Sequence, residues 1–372
     1  MKQPSISSFL SERIEAGDFP SAIYLVAENG SVVFTDALGT AVRGTPDLPA
    51  TLDTVYDLAS LTKPLVTGLL CARRIESGQL TLDSSIANYL PEFDRTDKHM
   101  ITLGHLLTHS SGLPGWQPLY VLAGGNTDAA AAAIANERLE YPTGTRVVYS
   151  DLGFIALGLM LERVTGAKLV ELASHEIIEP LNLKQTWFNP AKKLRNFIAA
   201  SELGNAFERE TSRQAGREYR GWREHLIWGE VHDGNAAFMG GAAGHAGLFS
   251  TAAETLRLAH QFMEQQTELL QPSTCKLFHT NMTAGLEEDR SVSWKLASSR
   301  ESSAGPGLPG ESYGHAGFTG TSCWIDGSSG RVFILLTNRT HARTLPFANI
   351  NEVRRQFHSL AVAALNEKSD KL

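Results

Sequence analysis

The sequence predicts a mixed α/β protein with a mainly helical insertion. Strand-like segments cluster near both ends of the chain, and helix-like segments fill its middle. The chain also has 372 residues, 42% of them apolar and 20% charged. That suits a soluble protein with a sizeable core and about two domains. The expected division is an α/β domain built from both termini, residues 1–95 and 241–372, around a helical domain at 96–240.

The elements follow in order. Ser5 to Ala16 has apolar positions at helical spacing and ends near Gly17. Ser21–Glu28 and Ser31–Asp36 read as strands, joined by Asn29-Gly30, a two-residue hairpin turn. Ser60–Ser77 reads as a helix closed by Gly78, with Pro64 in its first turn, where a missing N–H does little harm. Pro91, Pro114 and Pro118 mark a loop-rich stretch. Ala129–Ala135 is helical by propensity, and Ser150–Thr165 and Lys168–Ile178 read as two further helices. Residues 190–230 carry mixed charge and little pattern, and Gly240–Gly247 is rich in Gly and Ala. Thr251-Ala-Ala-Glu254 is a capping box opening a helix to about Gln265. Phe318–Asp326 and Arg331–Asn338 read as strands around Gly327-Ser-Ser-Gly330, and Glu352–Leu365 as a final amphipathic helix.

Composition excludes several classes. Lys and Arg number 33 against 40 Asp and Glu, a formal charge of −7, which argues against a nucleic-acid partner. No apolar run reaches the 18 residues of a membrane span. Residues 1–13 lack the apolar core of a signal peptide, so either the chain is cytoplasmic or its start has been trimmed. Cys71, Cys275 and Cys323 are odd in number and widely spaced, which suits packed reduced thiols rather than a disulfide framework or zinc ribbon. No Gly-x-Gly-x-x-Gly follows a strand and no Gly-Lys-Ser/Thr loop is present, so no cofactor is expected.

The sharpest chemical signal is Ser60-Leu-Thr-Lys63 at a helix start. Residues three apart share a helical face, so the Lys63 amine can reach the Ser60 hydroxyl. A helix N-terminus favours developing negative charge. A serine hydroxyl needs a base before it attacks. Alone, the motif equally describes a Ser N-cap beside a solvated Lys. It is not alone: Tyr149-Ser150-Asp151 opens the helix near 150, and His315-Ala316-Gly317 opens a strand near the C-terminus.

In this order the three motifs resemble the serine β-lactamase and penicillin-binding-protein superfamily, class C β-lactamase-like hydrolases above all. Gly78-Gln-Leu-Thr-Leu-Asp83, Tyr89-Leu-Pro91 and Leu106-Leu-Thr-His-Ser-Ser-Gly-Leu-Pro114 also look like that family's stretches. Glu230-Val-His-Asp-Gly-Asn-Ala236, Gly240–Ser250 and Gly314–Ser322 resemble a narrower branch of cell-wall-recycling N-acetylmuramoyl-L-alanine amidases and related esterases. The resemblance implies a β-lactamase/transpeptidase-like fold, an antiparallel sheet flanked by helices.

It also implies an acyl-enzyme on Ser60. The base is either Lys63 or Tyr149; their ordinary pKa values, about 10.4 and about 10, both need lowering. A Tyr149 phenolate stabilised by the Lys63 ammonium is self-consistent. The family usually has Asn where this chain has Asp151, which either holds Lys63 charged, faces substrate or caps the helix. His315 stands where the β-lactamases usually have Lys. It either binds a substrate carboxylate when protonated or hydrogen-bonds and tunes Tyr149. Gly317 lets a substrate backbone lie close. The oxyanion hole carried over from the family is the Ser60 and Phe318 N–H groups. Thr319 and Thr321, alternating with Phe318 on the strand, border the pocket. His232, Asp233 and His245 are read as lining the substrate, as structural polar groups or, least favoured for want of ligand spacing, as metal ligands. His105 and His109 are read as structural. Trp116, Trp187, Trp222 and Trp228 are read mostly as core or interface residues, with one or two bordering a sugar or peptide site.

The expected activity is amide cleavage in peptidoglycan-derived muropeptides. The alternatives are a carboxylesterase on small acyl esters and a penicillin-binding sensor that acylates without turnover. β-Lactamase activity is expected to be weak, because a histidine at 315 carries no permanent charge.

Overall fold

The computed structural model describes residues 1–94 and 97–369. Residues 95 and 96, where the first domain boundary was expected, and 370–372 lie outside the described residues.

Helix α1 (Pro4–Glu15) leads into strands β1 (Ser21–Glu28) and β2 (Ser31–Val42). Their turn is the expected one: Asn29 and Gly30 have φ of 50° and 78°, the two positive angles a tight hairpin needs. β2 runs six residues past Asp36, because Thr40 and Val42 pair with β3 (Leu48–Pro49). Strand β4 (Tyr56–Asp57) then delivers the chain to Ser60. A 3₁₀ turn, Ala59–Leu61, and a π turn, Lys63–Gly68, precede α2 (Leu69–Glu76). The single helix expected over 60–77 is thus three kinds of turn in series. Pro64, which donates no N–H, falls near the start of the wide turn.

Helix α3 (Asp151–Thr165) is capped by Ser150, whose Oγ accepts the Gly153 N–H at 3.1 Å, and closed by left-handed Gly166. Strand β5 (Trp187–Phe188) and helix α4 (Ala206–Gln214) follow, the latter inside the stretch that showed little pattern. Strand β6 (Leu248–Ser250) pairs with β4 and β5 in a small sheet, and α5 (Ala252–His260) ends earlier than Gln265. The C-terminal part adds β7 (Lys295–Leu296), β8 (Tyr313–Ala316), β9 (Ser322–Asp326), β10 (Arg331–Thr337) and α6 (Asn351–Ser369).

The large sheet has seven antiparallel strands in the order β3-β2-β1-β10-β9-β8-β7. Its central pair joins the chain ends: Leu25 stands opposite Ile334 and Ala27 opposite Val332. Period-two geometry sends Ile23, Leu25 and Ala27 to one face and Ala22, Tyr24 and Val26 to the other. Both faces are covered, the first by the helices around α2 and α3, the second by α1 and α6. β1 therefore shows no polar alternation: a strand buried twice reads as a continuous apolar run. Each fully buried Leu, Ile or Phe here contributes about 1.5–3 kcal/mol. Cys71, Cys275 and Cys323 are buried and unpaired, and burial pushes each thiol up to about 12. No helix among the described residues is long and apolar enough to cross a membrane.

Two expectations for the third motif are corrected. Phe318–Asp326 is not one strand: residues 317–321 form a turn in which Gly317 N–H donates to Thr321 O at 2.8 Å. Thr319 and Thr321 do not border the pocket. Both are buried, and their hydroxyls donate to Asp57 O at 2.7 Å and Leu58 O at 2.9 Å.

Candidate active site

Those two hydroxyls fasten the turn after β8 to the turn after β4, which carries Ser60. A Cβ on Gly317 would strike Leu58 O, Thr321 Oγ1 and Ala59 Cβ, so only glycine permits this approach. Its glycine is demanded by the nucleophile turn rather than by a substrate backbone. Ser60 and Phe318 line one cavity.

Ala59, just before Ser60, has φ of 48°, a left-handed angle a Cβ disfavours by about 1–2 kcal/mol. Asp57 holds it there. Its Oδ1 accepts the Ala59 N–H at 2.8 Å and its Oδ2 the His232 N–H at 2.7 Å. Burial raises the Asp57 carboxyl, partly offset by these N–H donors.

Lys63 is fully buried. Its Nζ donates to Ser60 Oγ at 2.9 Å and to His245 O at 3.2 Å, and forms an ion pair with Asp151 Oδ1 at 2.7 Å. Burial alone would strip its proton. The Asp151 carboxylate and the neighbouring Tyr149 outweigh burial and hold its pKa above the ordinary value. Asp151 therefore faces Lys63, one of the three expected roles, and the cap role belongs to Ser150 instead.

The Tyr149 hydroxyl lies within hydrogen-bonding reach of Lys63 and Ser60. Burial raises its pKa, the Lys63 charge lowers it, and Asp151 raises it again, for a net rise. A resting phenolate is thus not supported: the anion paired with Lys63 is Asp151, and Tyr149 is a phenol. The His109 ring lies 4.5 Å from the Tyr149 ring, and its Nδ1 accepts the Ser150 N–H at 2.9 Å. His109, read as structural, shapes the Tyr149 turn from beneath, whereas His105 accepts the Thr102 N–H in a distant capping box.

His315 is buried, its ring centroid 5.7 Å from that of Tyr149. Burial pushes its pKa well down, and the Lys63 and Arg290 charges push it further. Its Nδ1 pairs with Ala316 O at 3.0 Å. It is a neutral imidazole and does not supply the carboxylate-binding charge expected at this position. Two cations stand on this side, Lys295 and the buried Arg290, whose guanidinium carbon lies 5.6 Å from the Tyr149 ring centroid and which pairs with Glu288 at 2.7 Å. Arg290, Lys295, Tyr149, His315 and Asn351 line one small cavity.

The motif around 232 closes the opposite side. His232 Nε2 pairs with Glu202 at 2.8 Å inside the protein, and its ring stacks on Phe318 with centroids 5.5 Å apart. Burial lowers its pKa, but Glu202 more than reverses this, so the net shift is upward and favours the charged imidazole. His245 Nε2 pairs with Asp233 Oδ1 at 2.8 Å. Burial works against the Asp233 charge, but His245 overcomes it and holds the carboxyl well below the usual range. Each imidazole thus has a carboxylate partner. Among the described residues, no group of three or more His, Cys, Asp or Glu converges as metal ligands would.

A second cavity, of about 250 Å³, opens on Ser60 and is lined by Trp116, Asp151, Phe207, Glu208, His232, Asp233 and Phe318. Of the four tryptophans singled out, Trp116 is therefore the one beside Ser60. Glu202, Phe207, Glu208 and Arg290 carried no signal in the sequence. The first three sit in the unpatterned stretch, six residues apart, and Arg290 follows three acidic residues in a loop. The fold brings Phe207 and Glu208 to Ser60, Glu202 to His232 and Arg290 to Tyr149.

The beta-lactamase family model matches residues 6–354. The chain belongs to the beta-lactamase family. It is 30% identical over 366 residues to a putative D-alanyl-D-alanine carboxypeptidase of Escherichia coli (strain K12), covering 90% of this chain and 81% of that one. It is 31% identical over 358 residues to an N-acetylmuramyl-L-alanine amidase of Bacillus subtilis (strain 168), covering 89% and 79%. Among solved structures, a penicillin-binding protein homolog from Caulobacter crescentus superposes with a TM-score of 0.73, 21% identity and 97% coverage of both chains. A class C beta lactamase from Rhodobacter sphaeroides gives 0.73 at 19% identity, covering 98% of this chain and 100% of that one. The protein is a serine hydrolase of this family with its penicillin-binding-like fold.

Proposed function

We propose that this hydrolase cleaves an amide bond in peptidoglycan-derived muropeptides through an acyl-enzyme on Ser60. The observation that carries the amide is the proton placement. With Asp151 neutralising Lys63, Tyr149 holds its proton at rest, between Ser60 and the Arg290 side of the cleft. An amide's leaving nitrogen must be protonated, so a loaded donor suits it; an ester's leaving oxygen needs this less. Two relatives matching most of the chain are named as a putative D-alanyl-D-alanine carboxypeptidase and an N-acetylmuramyl-L-alanine amidase, which supports an amide substrate.

The steps follow from these positions. As Ser60 Oγ attacks the carbonyl carbon, its proton passes to the Tyr149 oxygen and the Tyr149 proton moves in the same step to the leaving nitrogen, so the phenol never holds two protons. The C–N bond then breaks and the amine departs. Charge gathering on the carbonyl oxygen is met by the Ser60 and Phe318 N–H groups. In deacylation a water oxygen attacks the ester carbonyl, its proton moves to Tyr149 as the Tyr149 proton moves to Ser60 Oγ, and the C–Oγ bond breaks to release the acid. Lys63, held charged by Asp151, stabilises negative charge passing through Oγ and never leaves its ion pair.

The test is product analysis after incubation with a muramoyl-peptide, using wild type and Ser60→Ala. Release of free peptide by wild type alone is expected. Hydrolysis of a short ester with no peptide release would overturn the amidase reading in favour of the esterase. Stable acylation by a penicillin with no turnover of either substrate would favour the sensor.

A further inference from the structure

We propose that the cavity on the acyl side of Ser60 is a subsite for one sugar ring. This rests on the amidase reading and names what that reading leaves open: which part of the substrate the enzyme grips. The cavity's volume, about 250 Å³, gives room for about one hexose-sized ring.

Its walls have the two surfaces a pyranose has. A pyranose presents a C–H face and a rim of hydroxyl donors. Trp116, Phe207 and Phe318 supply the aromatic surface, the last two rings packed with centroids 4.7 Å apart. Phe207 remains 38% exposed at the mouth, so apolar surface is left to water where a ligand would cover it. Asp151, Asp233 and Glu208 supply acceptors.

The hydrogen-bonding polarity suits a ligand rich in hydroxyl donors. A peptide acyl chain alternates N–H donors with carbonyl acceptors, and those carbonyls need donors from the protein, which an asparagine at 151 would provide. Asp151 cannot: an ionised carboxylate only accepts. The internal contacts of Asp151 and Asp233 fall on Oδ1 of each, with Lys63 and with His245 and Ala236. Their side chains stay 18% and 20% exposed, so Oδ2 of each is left for a ligand.

Glu208 is a built part of the wall. Its Oε1 accepts the Gly234 N–H at 2.7 Å and its Oε2 the Tyr120 hydroxyl at 3.2 Å. A Cβ at residue 234 would occupy the carboxylate's place, so a glycine there makes the room. Burial, then the Asp233 charge, raises its pKa to about 7, so near neutrality the carboxyl can accept from a hydroxyl or donate to one.

The experiment compares kcat/KM for two substrates with the same scissile bond, muramoyl-L-alanyl peptide and lactyl-L-alanyl peptide, which lacks only the sugar. Wild type should favour the sugar-bearing substrate by about 100-fold, since remote binding energy is realised in the transition state. Glu208→Gln, Trp116→Leu and Phe207→Leu should each cut that ratio about tenfold, beyond any common loss on both substrates. Phe207 is exposed enough that its variant should fold even where Trp116→Leu does not. A ratio near one in wild type, with both substrates cleaved, overturns the sugar subsite and leaves the amidase standing. Equal losses on both substrates in all three variants overturn the assignment of these walls. Cleavage of neither substrate overturns the amidase reading itself and the subsite with it.

Discussion

The tetrapeptide Gly-His-Ala-Gly occurs twice, at 244–247 and 314–317, and the two copies do different work. In the first, His245 faces a carboxylate and offers its backbone carbonyl to Lys63. In the second, His315 faces Lys63 and Arg290 and is held neutral. The glycines differ in the same way. Gly244 lies where a Cβ would meet Phe154 O and Gly158 N, so it seats the loop on α3. Gly317 seats the other loop on the nucleophile turn. Identical residues acquire their roles from the charges and backbones packed against them. The same contrast divides the cleft into an acceptor-rich side at Ser60 and an Arg290 side at Tyr149.

The largest effect should come from breaking the ion pair both copies surround. Asp151→Asn leaves the buried Lys63 charge uncompensated, a cost of about 3–5 kcal/mol for one partner of a buried pair. Part of that cost should fall on catalysis, with kcat/KM down about 10³-fold. Lys63 owes its raised pKa to Asp151, so the alkaline limb of the pH–rate profile should move to lower pH in this variant. An unmoved limb would detach Lys63 from the profile.

Next come the glycines. Gly317→Ala, scored per folded molecule by active-site titration, should lose about 10²-fold in kcat/KM, because it displaces the nucleophile turn. Gly244→Ala should act mainly on melting temperature. Equal catalytic losses in the two would erase the distinction between the copies.

Smaller is the effect on pH-dependent stability. Glu202 raises the His232 pKa, so their pairing stabilises the fold fully below the ordinary imidazole value and loses this as pH rises through the folded one. Glu202→Gln should therefore lower the melting temperature more at pH 6 than at pH 9. A pH-independent difference would mean that His232 stays neutral.

The smallest effect tests the second copy directly. A neutral His315 gives no acid limb in the imidazole range, so His315→Asn should reduce kcat/KM about tenfold without changing the profile's shape between pH 5.5 and 7.5. Loss of an acid limb in that variant would show that His315 titrates in the enzyme at work.

The hairpin at Asn29-Gly30 and the grouping of Ser60, Lys63 and Tyr149 were legible from short motifs, whereas the helix cap, one role weighed for Asp151, falls to Ser150. Local chemistry dictates a turn, a cap or a helical spacing whatever lies elsewhere. The 317–321 turn was misread as strand because its threonines have strand propensity. What settles them is the carbonyls of Asp57 and Leu58, some 260 positions away in sequence. Glu208 looks like an ordinary helix-surface acid until α4 lies beside Ser60, and Glu202 like a loop acid until it meets His232.

The sequence by itself determined which groups can react: a serine three residues from a lysine, a tyrosine at a helix start, and an aspartate where an amide is usual. Tertiary structure decided which of them carry charge. Lys63 and His232 keep their protons because carboxylates lie beside them, and His315 loses its own because cations do. Residue type fixes an intrinsic affinity for the proton. Burial and the neighbouring charges, which only the folded chain assembles, decide whether the proton stays.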